Sequence, residues 1–126
     1  MSSAGAFSWN SELPSGRSPF WIRDDGLAGR GLRAGDAVSV DTGAEPGNGE
    51  LVVVEVEQDG DSSRLARRYA TDGGEYVRLE TVSEDGTVHS KSLPETSVMI
   101  MGVIRGRLRF SADGSQVIEE PLDADP

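Results

Sequence analysis

Residues 50–57 of this 126-residue chain read ELVVVEVE, and the valines at the centre of this stretch decide the fold. A continuous apolar run predicts a strand that is covered on both faces. The run is made by four residues, Val52, Val53, Val54 and Val56. A second run, SVMIMGVIRGRLRF at 97–110, has the same character, and Gly102 within it predicts a bulge or a close backbone approach. These two segments indicate a β core.

The shorter segments around them are also typical of β-strands. They alternate apolar with polar residues or are rich in β-branched and aromatic ones, and they span 20–23, 36–41, 76–82 and 87–91. No window of about a dozen residues keeps an apolar stripe free of Gly or Pro, so no helix is predicted. The expected fold class is mainly β, in a single domain, because the chain is long enough for one core only.

The two ends differ from this central part. Residues 1–19 are rich in Ser, Gly and Pro, while 111–126 carry five acidic residues and no basic one. We expect both ends to be loosely attached, with the folded domain over 20–110 and an acidic tail over 111–126.

The composition argues against several functions. The net charge of −10 opposes nucleic-acid binding by this domain, because such binding depends on Lys and Arg neutralising phosphates. The longest mainly apolar stretch, 97–104, is far shorter than the ~20 residues of a membrane-spanning helix. The chain shows no secretion signal and no cysteine, so a cytoplasmic location is expected, without disulfides or thiolate metal sites.

Four segments follow one another in an order and at separations that match a known family. The first two are AGAFS at 4–8 and RDDGLAGRGLRAGD at 23–36. The third runs from PGNGE at 46–50 through the valine strand to RLARR at 64–68, and the fourth is IMGVI at 100–104, with its valine displaced by at most one residue. Together they resemble the self-cleaving peptidase domain of LexA-type repressors, UmuD-like proteins and lambdoid phage repressors.

The resemblance implies a compact domain of the β-clip type and gives individual positions a role. Ala4 and Gly5 correspond to the bond that family members cut in themselves. The motif around the nucleophile corresponds to Asp25, Leu27, Gly35 and Asp36. Gly26 stands where the family has its nucleophilic serine, and Ala66 stands where it has its lysine. We expect these two positions to lie close together, with Gly26 opening the turn after the strand at 20–23.

The two departures from the family pattern determine the expected activity. The family reaction needs a serine hydroxyl as nucleophile and a neutral lysine as base, and neither glycine nor alanine can replace them. The sole lysine, Lys91, and the sole histidine, His89, are expected to be solvated surface residues. The aspartates mostly adjoin glycines or lie in turns, where they cap the backbone, so no metal and no cofactor is predicted. The chain is therefore predicted not to be an enzyme.

The leading hypothesis is a catalytically inactive LexA/UmuD-like regulatory and dimerisation domain. It would be part of a transcriptional repressor or a partner of one, as in the SOS response to DNA damage. One alternative is a serine-lysine self-cleaving peptidase whose dyad was mutated, or is supplied by other residues or a partner chain. Another is a small β-barrel binding module unrelated to the peptidases. Natural loss and deliberate replacement of the dyad both remain open, as does the presence of a preceding DNA-binding domain.

The late strand is the expected dimer interface. It combines apolar residues with arginines at alternate positions, and most soluble homo-oligomers are two-fold dimers. The residues assigned to the interface are Val98, Ile100, Val103, Arg105 and Arg107, followed by Arg109. Acidic residues such as Glu119 and Glu120 could flank the arginines within or across subunits. The alternative is an arginine-rich edge strand that discourages pairing.

Overall fold

The computed structural model describes residues 16–114 and 116–122 of the chain. The described residues form eight strands: β1 (Arg17–Trp21), β2 (Ala37–Asp41), β3 (Leu51–Gln58), β4 (Asp61–Thr71), β5 (Tyr76–Val82), β6 (Val88–Pro94), β7 (Val98–Phe110) and β8 (Val117–Pro121). Two single-turn 3-10 helices, Ala28–Arg30 and Glu95–Ser97, are the only helical elements among them. The predicted mainly β single domain is confirmed.

All the strands belong to one antiparallel sheet in which β7 is central. The order is β1-β2-β7-β3-β4-β5-β6, and β8 also pairs with β7. β7 therefore has three partners: β3 along its first half, β2 along its middle and β8 along its end. The pairing of β7 with β3 shifts register beside Gly102, and a Cβ on this glycine would lie 2.6 Å from the carbonyl oxygen of Asp41. The predicted bulge and close approach at Gly102 are both confirmed.

The core lies on both faces of β3, because successive side chains of a strand point in opposite directions. Val53 belongs to one buried cluster, with Ile22, Leu27, Leu32, Val38, Val40, Leu51, Ala66, Val82 and Ile104. Val52, Val54 and Val56 belong to a second, with Val77, Leu79, Leu93 and Val103. A small third cluster joins Ala37, Leu108 and Val117. The prediction that the valine strand is covered on both faces is confirmed.

The structure differs from the sequence prediction mainly in β4 and at the two ends. β4 was not predicted, because its first four residues are exposed and polar. β1 begins at Arg17, inside the segment expected to be loosely attached. β8 lies within the acidic segment 111–126 and is hydrogen-bonded to β7, so the domain extends beyond residue 110. No helix of the described residues has the length and apolar character needed to cross a membrane.

Candidate functional site

The loop between β1 and β2 contains Gly26 and is built by its own polar groups. The backbone N–H of Ile22 donates to the carbonyl oxygen of Asp36 at 2.7 Å, and the backbone N–H of Gly35 donates to the carbonyl oxygen of Ile22 at 2.9 Å. The Asp25 carboxylate accepts the N–H of Ala34 at 3.0 Å. The loop is thereby closed on itself by bonds between its two ends.

The four motif residues of this loop are structural in the fold. Asp25 closes the loop, and the Asp36 carboxylate accepts the N–H of Arg33 at 2.9 Å. Leu27 is buried in the first core cluster. Gly35 has φ +94°, a left-handed conformation that glycine adopts without steric cost. Their contacts explain why the loop keeps its shape, independently of any chemistry.

Gly26 lies where the pairing of β4 with β5 ends. That pairing runs from Thr71 opposite Val77 to Arg68 opposite Glu80. Beyond it, the N–H of Val82 donates to the carbonyl oxygen of Gly26 at 2.8 Å. The loop thus replaces β4 as the hydrogen-bonding partner at this end of β5. Ala66, the second position singled out by the resemblance, packs in the same buried cluster as the loop residues Ile22, Leu27 and Leu32.

Arg67 contacts both Gly26 and Ala66. Its Nη1 donates to the carbonyl oxygen of Ala66 at 2.8 Å. A Cβ built on Gly26 would lie 2.9 Å from Arg67 Cζ and closer still to Nη1. Both positions therefore border one guanidinium, and no side chain fits on residue 26 while that guanidinium stays in place.

Asp24 holds the guanidinium in this position. Its two carboxylate oxygens accept from Arg67 Nη1 at 3.0 Å and from Nη2 at 2.9 Å, and one of them also accepts the N–H of Gly26 at 2.9 Å. The hydrogen bonds from Arg67 lower the pKa of Asp24, against the opposing effect of partial burial, and the Gly26 N–H and the positive charge of Arg67 add to the lowering. The Arg67 side chain is 15% exposed and the Asp24 side chain 44% exposed, so solvent reaches the pair from the side of the carboxylate.

Gly26 and Ala66 themselves carry no nucleophilic or basic side-chain group. Arginine stays protonated in proteins, so Arg67 cannot accept a proton from a hydroxyl. Lys91 lies on the edge strand β6 and donates to the amide oxygen of Gln58 at 3.3 Å. The neighbouring Ser90 donates instead to Glu80 at 3.0 Å. Within residues 16–114 and 116–122, no three His, Asp or Glu side chains are grouped so as to hold a metal ion.

Two adjoining clefts border this part of the sheet. The larger, about 510 Å³, is lined by Arg23, Asp24, Glu55, Ser62, Ser63, Arg64 and Leu65. The smaller, about 240 Å³, is lined by Ser18, Pro19, Phe20, Val40, Thr42, Val53, Arg64 and Met101. Arg64 lines both clefts, and Asp24 connects the larger one with the Arg67 guanidinium. Ala4 and Gly5, the cleavage-like residues, lie outside the described residues.

The arginines of β7 are paired within the chain. Arg105 contacts Glu50 at 3.2 Å and Asp41 at 3.5 Å, and Arg109 contacts Glu120 at 2.8 Å. Arg107 donates to the carbonyl oxygen of Gly31 at 2.7 Å. Of the apolar residues assigned to the interface, Val103 is buried, while Val98 and Ile100 are partly buried against the second cluster. These three belong to the core of the subunit.

The sequence analysis missed a polar network around Ser39, the one fully buried polar residue among those described. Its hydroxyl donates to the carboxylate of Glu119 on β8. Arg17 donates to the same carboxylate at 3.2 Å and contacts Asp41 at 3.3 Å. A serine between two valines of a buried strand was the available signal, because a buried hydroxyl needs a partner.

Comparison with protein-family models and with curated proteins assigns neither a family nor a function to the chain. Neither a protein-family model nor a curated protein matches the chain.

Proposed function

We propose that this chain is a catalytically inactive, LexA/UmuD-like regulatory and dimerisation domain that works in the cytoplasm as part of a repressor or as its partner. The observation that carries the proposal is the meeting of the Gly26 loop with β4 at Ala66 and Arg67. A serine-lysine dyad requires its two residues within hydrogen-bond reach of each other. The proposal is supported by the contact of one guanidinium with both positions, at residue 66 through the carbonyl oxygen and at residue 26 through the space of an added Cβ.

The Asp24–Arg67 pair gives the proposal a physical reason for inactivity beyond the two missing side chains. The guanidinium fills the space that a nucleophile at residue 26 would need, and Asp24 fixes it there through two hydrogen bonds. Cleavage by a nucleophile at residue 26 would therefore require the Arg67 guanidinium to move.

Restoring the dyad tests this assignment. We expect Gly26→Ser and Ala66→Lys, combined with Arg67→Ala to make room for the serine, to produce cleavage between Ala4 and Gly5 in alkaline buffer. The unaltered chain and each single substitution should remain intact. Mass spectrometry follows the fragments, and the rate should be first-order and independent of protein concentration, because the reaction is intramolecular.

The control for this test is the same triple variant with Ala in place of Ser at residue 26. It changes the packing in the same way but has no nucleophile, so it should remain intact. A serine variant that unfolds cooperatively at the same temperature as this control, and yet is never cut, would overturn the assignment of residues 26 and 66. Cleavage of the unaltered chain would overturn the proposed inactivity.

Dimerisation through β7 and β8 is the second part of the proposal. Large apolar side chains are exposed on these two strands: Met99 (60%), Ile118 (51%) and Phe110 (39%). Two of the three arginines beside them, Arg105 and Arg109, are paired with acidic residues of the same chain, which reduces like-charge repulsion between two copies. Light scattering should give a mass near twice 13.4 kDa at micromolar concentration.

The interface can be located with a pair of charge reversals. Arg107→Glu lies on β7 and should shift the equilibrium towards the monomer, as should Ile118→Asp on β8. Arg78→Glu makes the same charge change on β5, away from the proposed interface, and should leave the dimer intact. A monomer at all accessible concentrations, or equal effects of the reversals on β7 and β5, would contradict this part of the proposal.

A further inference from the structure

The second face of the sheet forms a concave surface between β3 and β6. In the sheet order these strands are separated by β4 and β5, yet Lys91 on β6 donates to Gln58 at the end of β3 at 3.3 Å. This hydrogen bond, and the shared buried cluster of residues from β3, β5 and β6, indicate that the sheet curls. The curl encloses a cleft of about 260 Å³, lined by Val56, Gln58, Leu65, Arg67, Leu79, Thr81, His89, Ser90, Lys91 and Leu93.

The floor of this cleft is apolar and rigid. Val56, Leu79 and Leu93 belong to the second core cluster and are at most 7% exposed, and Leu65 packs against them. Their positions are fixed by strand pairing, since Leu79 on β5 lies opposite Lys91 on β6. A preformed apolar floor can receive an aliphatic or aromatic group without rearrangement.

Basic side chains line the rim of the cleft, although two carboxylates lie beside it: Glu80 accepts from Ser90, and Asp85 interacts electrostatically with His89. Lys91 and His89 are the only lysine and the only histidine of the sequence, and both line this one cleft. The chain contains 22 Asp and Glu, but none of them is among the described residues that line the cleft. Lys91 donates to a neutral amide, so this contact leaves its positive charge uncompensated.

We propose that this cleft binds a small carboxylate with an apolar body. Lys91 binds the carboxylate, with His89 as a second N–H donor, and the floor receives the body. The cleft is smaller than the ~300 Å³ at which pockets for drug-sized ligands begin, so the ligand is a small molecule such as a medium-chain fatty acid. The proposal does not rest on the family relationship, because its two ligand-binding residues, His89 and Lys91, lie outside the four family-like segments.

Titration with octanoate, followed by amide NMR spectra of the full chain, tests the proposal. We expect saturable shifts centred on Leu79, His89, Lys91 and Leu93. Octanol has the same body without the charge, and acetate has the charge without the body. Each should bind at least about tenfold more weakly, because each lacks one of the two interactions.

Substitutions separate a built site from general hydrophobic binding. Lys91→Met keeps the side-chain length and should weaken octanoate binding by about tenfold, since it removes a charge-assisted hydrogen bond. Lys91→Arg should restore most of it. Arg78→Met makes the same charge change on β5, outside the cleft lining, and should have no effect. Equal binding of octanoate and octanol, shifts centred elsewhere, or equal effects of the two Met variants would overturn the proposal.

Discussion

The guanidinium of Arg67 occupies the space into which a side chain on Gly26 would project. It is fixed there from two further directions, by the carboxylate of Asp24 and by the carbonyl oxygen of Ala66. Glycine at residue 26 and arginine at residue 67 are therefore physically coupled, and a change at one alters the environment of the other.

The first prediction concerns Gly26→Ser. The new side chain must displace a guanidinium held by a bidentate ion pair, so we expect a loss of about 1–3 kcal/mol in the free energy of unfolding, measured with urea. Gly43→Ser is the matched control, because a Cβ there would meet no atom within 4 Å. The penalty at residue 26 should be smaller in an Arg67→Ala background. Equal stability of the two serine variants would contradict the coupling.

A second prediction concerns pH. The pKa of Asp24 is lower in the folded chain than its ordinary value, so its ion pair stabilises the fold at neutral pH and is lost as the pH falls through the lowered pKa. Asp24→Asn should cost about 1 kcal/mol at neutral pH, and this difference should shrink progressively below pH ~4. Urea unfolding at several pH values measures it. A difference that persists unchanged at the lowest pH would show that the charge of Asp24 is not its cause.

The third prediction compares two neighbouring glutamates of β8. Glu119→Ala leaves the buried Ser39 hydroxyl without its acceptor and should cost about 2 kcal/mol. Glu120→Ala removes only an exposed ion pair with Arg109 and should cost less than about 1 kcal/mol. Adding Ser39→Ala to the Glu119 variant should recover part of the loss. Equal costs for the two glutamates in thermal or urea unfolding would remove the role assigned to the buried hydrogen bond.

The sequence predicted those parts of the fold in which an apolar pattern reports burial directly. The valines of β3 and the bulge at Gly102 are examples, because a continuous apolar run and a glycine inside it each have one simple structural cause. β4 has no such pattern. Its first four residues, next to the turn from β3, are exposed, and its later arginines, Arg67 and Arg68, pair with Asp24 and Glu80. β8 was hidden because its acidic residues suggested a solvated tail, whereas they pair with arginines and Ser39.

The candidate site was only partly accessible to sequence analysis. The spacing of the motifs singled out residues 26 and 66, but spacing does not state what fills the space of a missing side chain. The group that fills this space is the Arg67 guanidinium. It lies beside Gly26 where the pairing of β4 with β5 has ended, beyond Arg68 and Glu80. The cleft beside Lys91 depends likewise on the curl of the sheet, which brings residues 58 and 91 together.

The central place of β7 determines when the chain can fold during synthesis. β2 has β1 as a neighbour on one side, but its other neighbour is β7, whose residues leave the ribosome more than 50 residues later. One edge of β3 also has no partner until β7 is synthesised, although the hairpin of β3 with β4 can form early. The emerging chain must therefore keep a valine-rich strand half-paired until residues 98–110 arrive. Nascent chains that stop before β7 are expected to need a chaperone, and those that include β8 are expected to fold cooperatively.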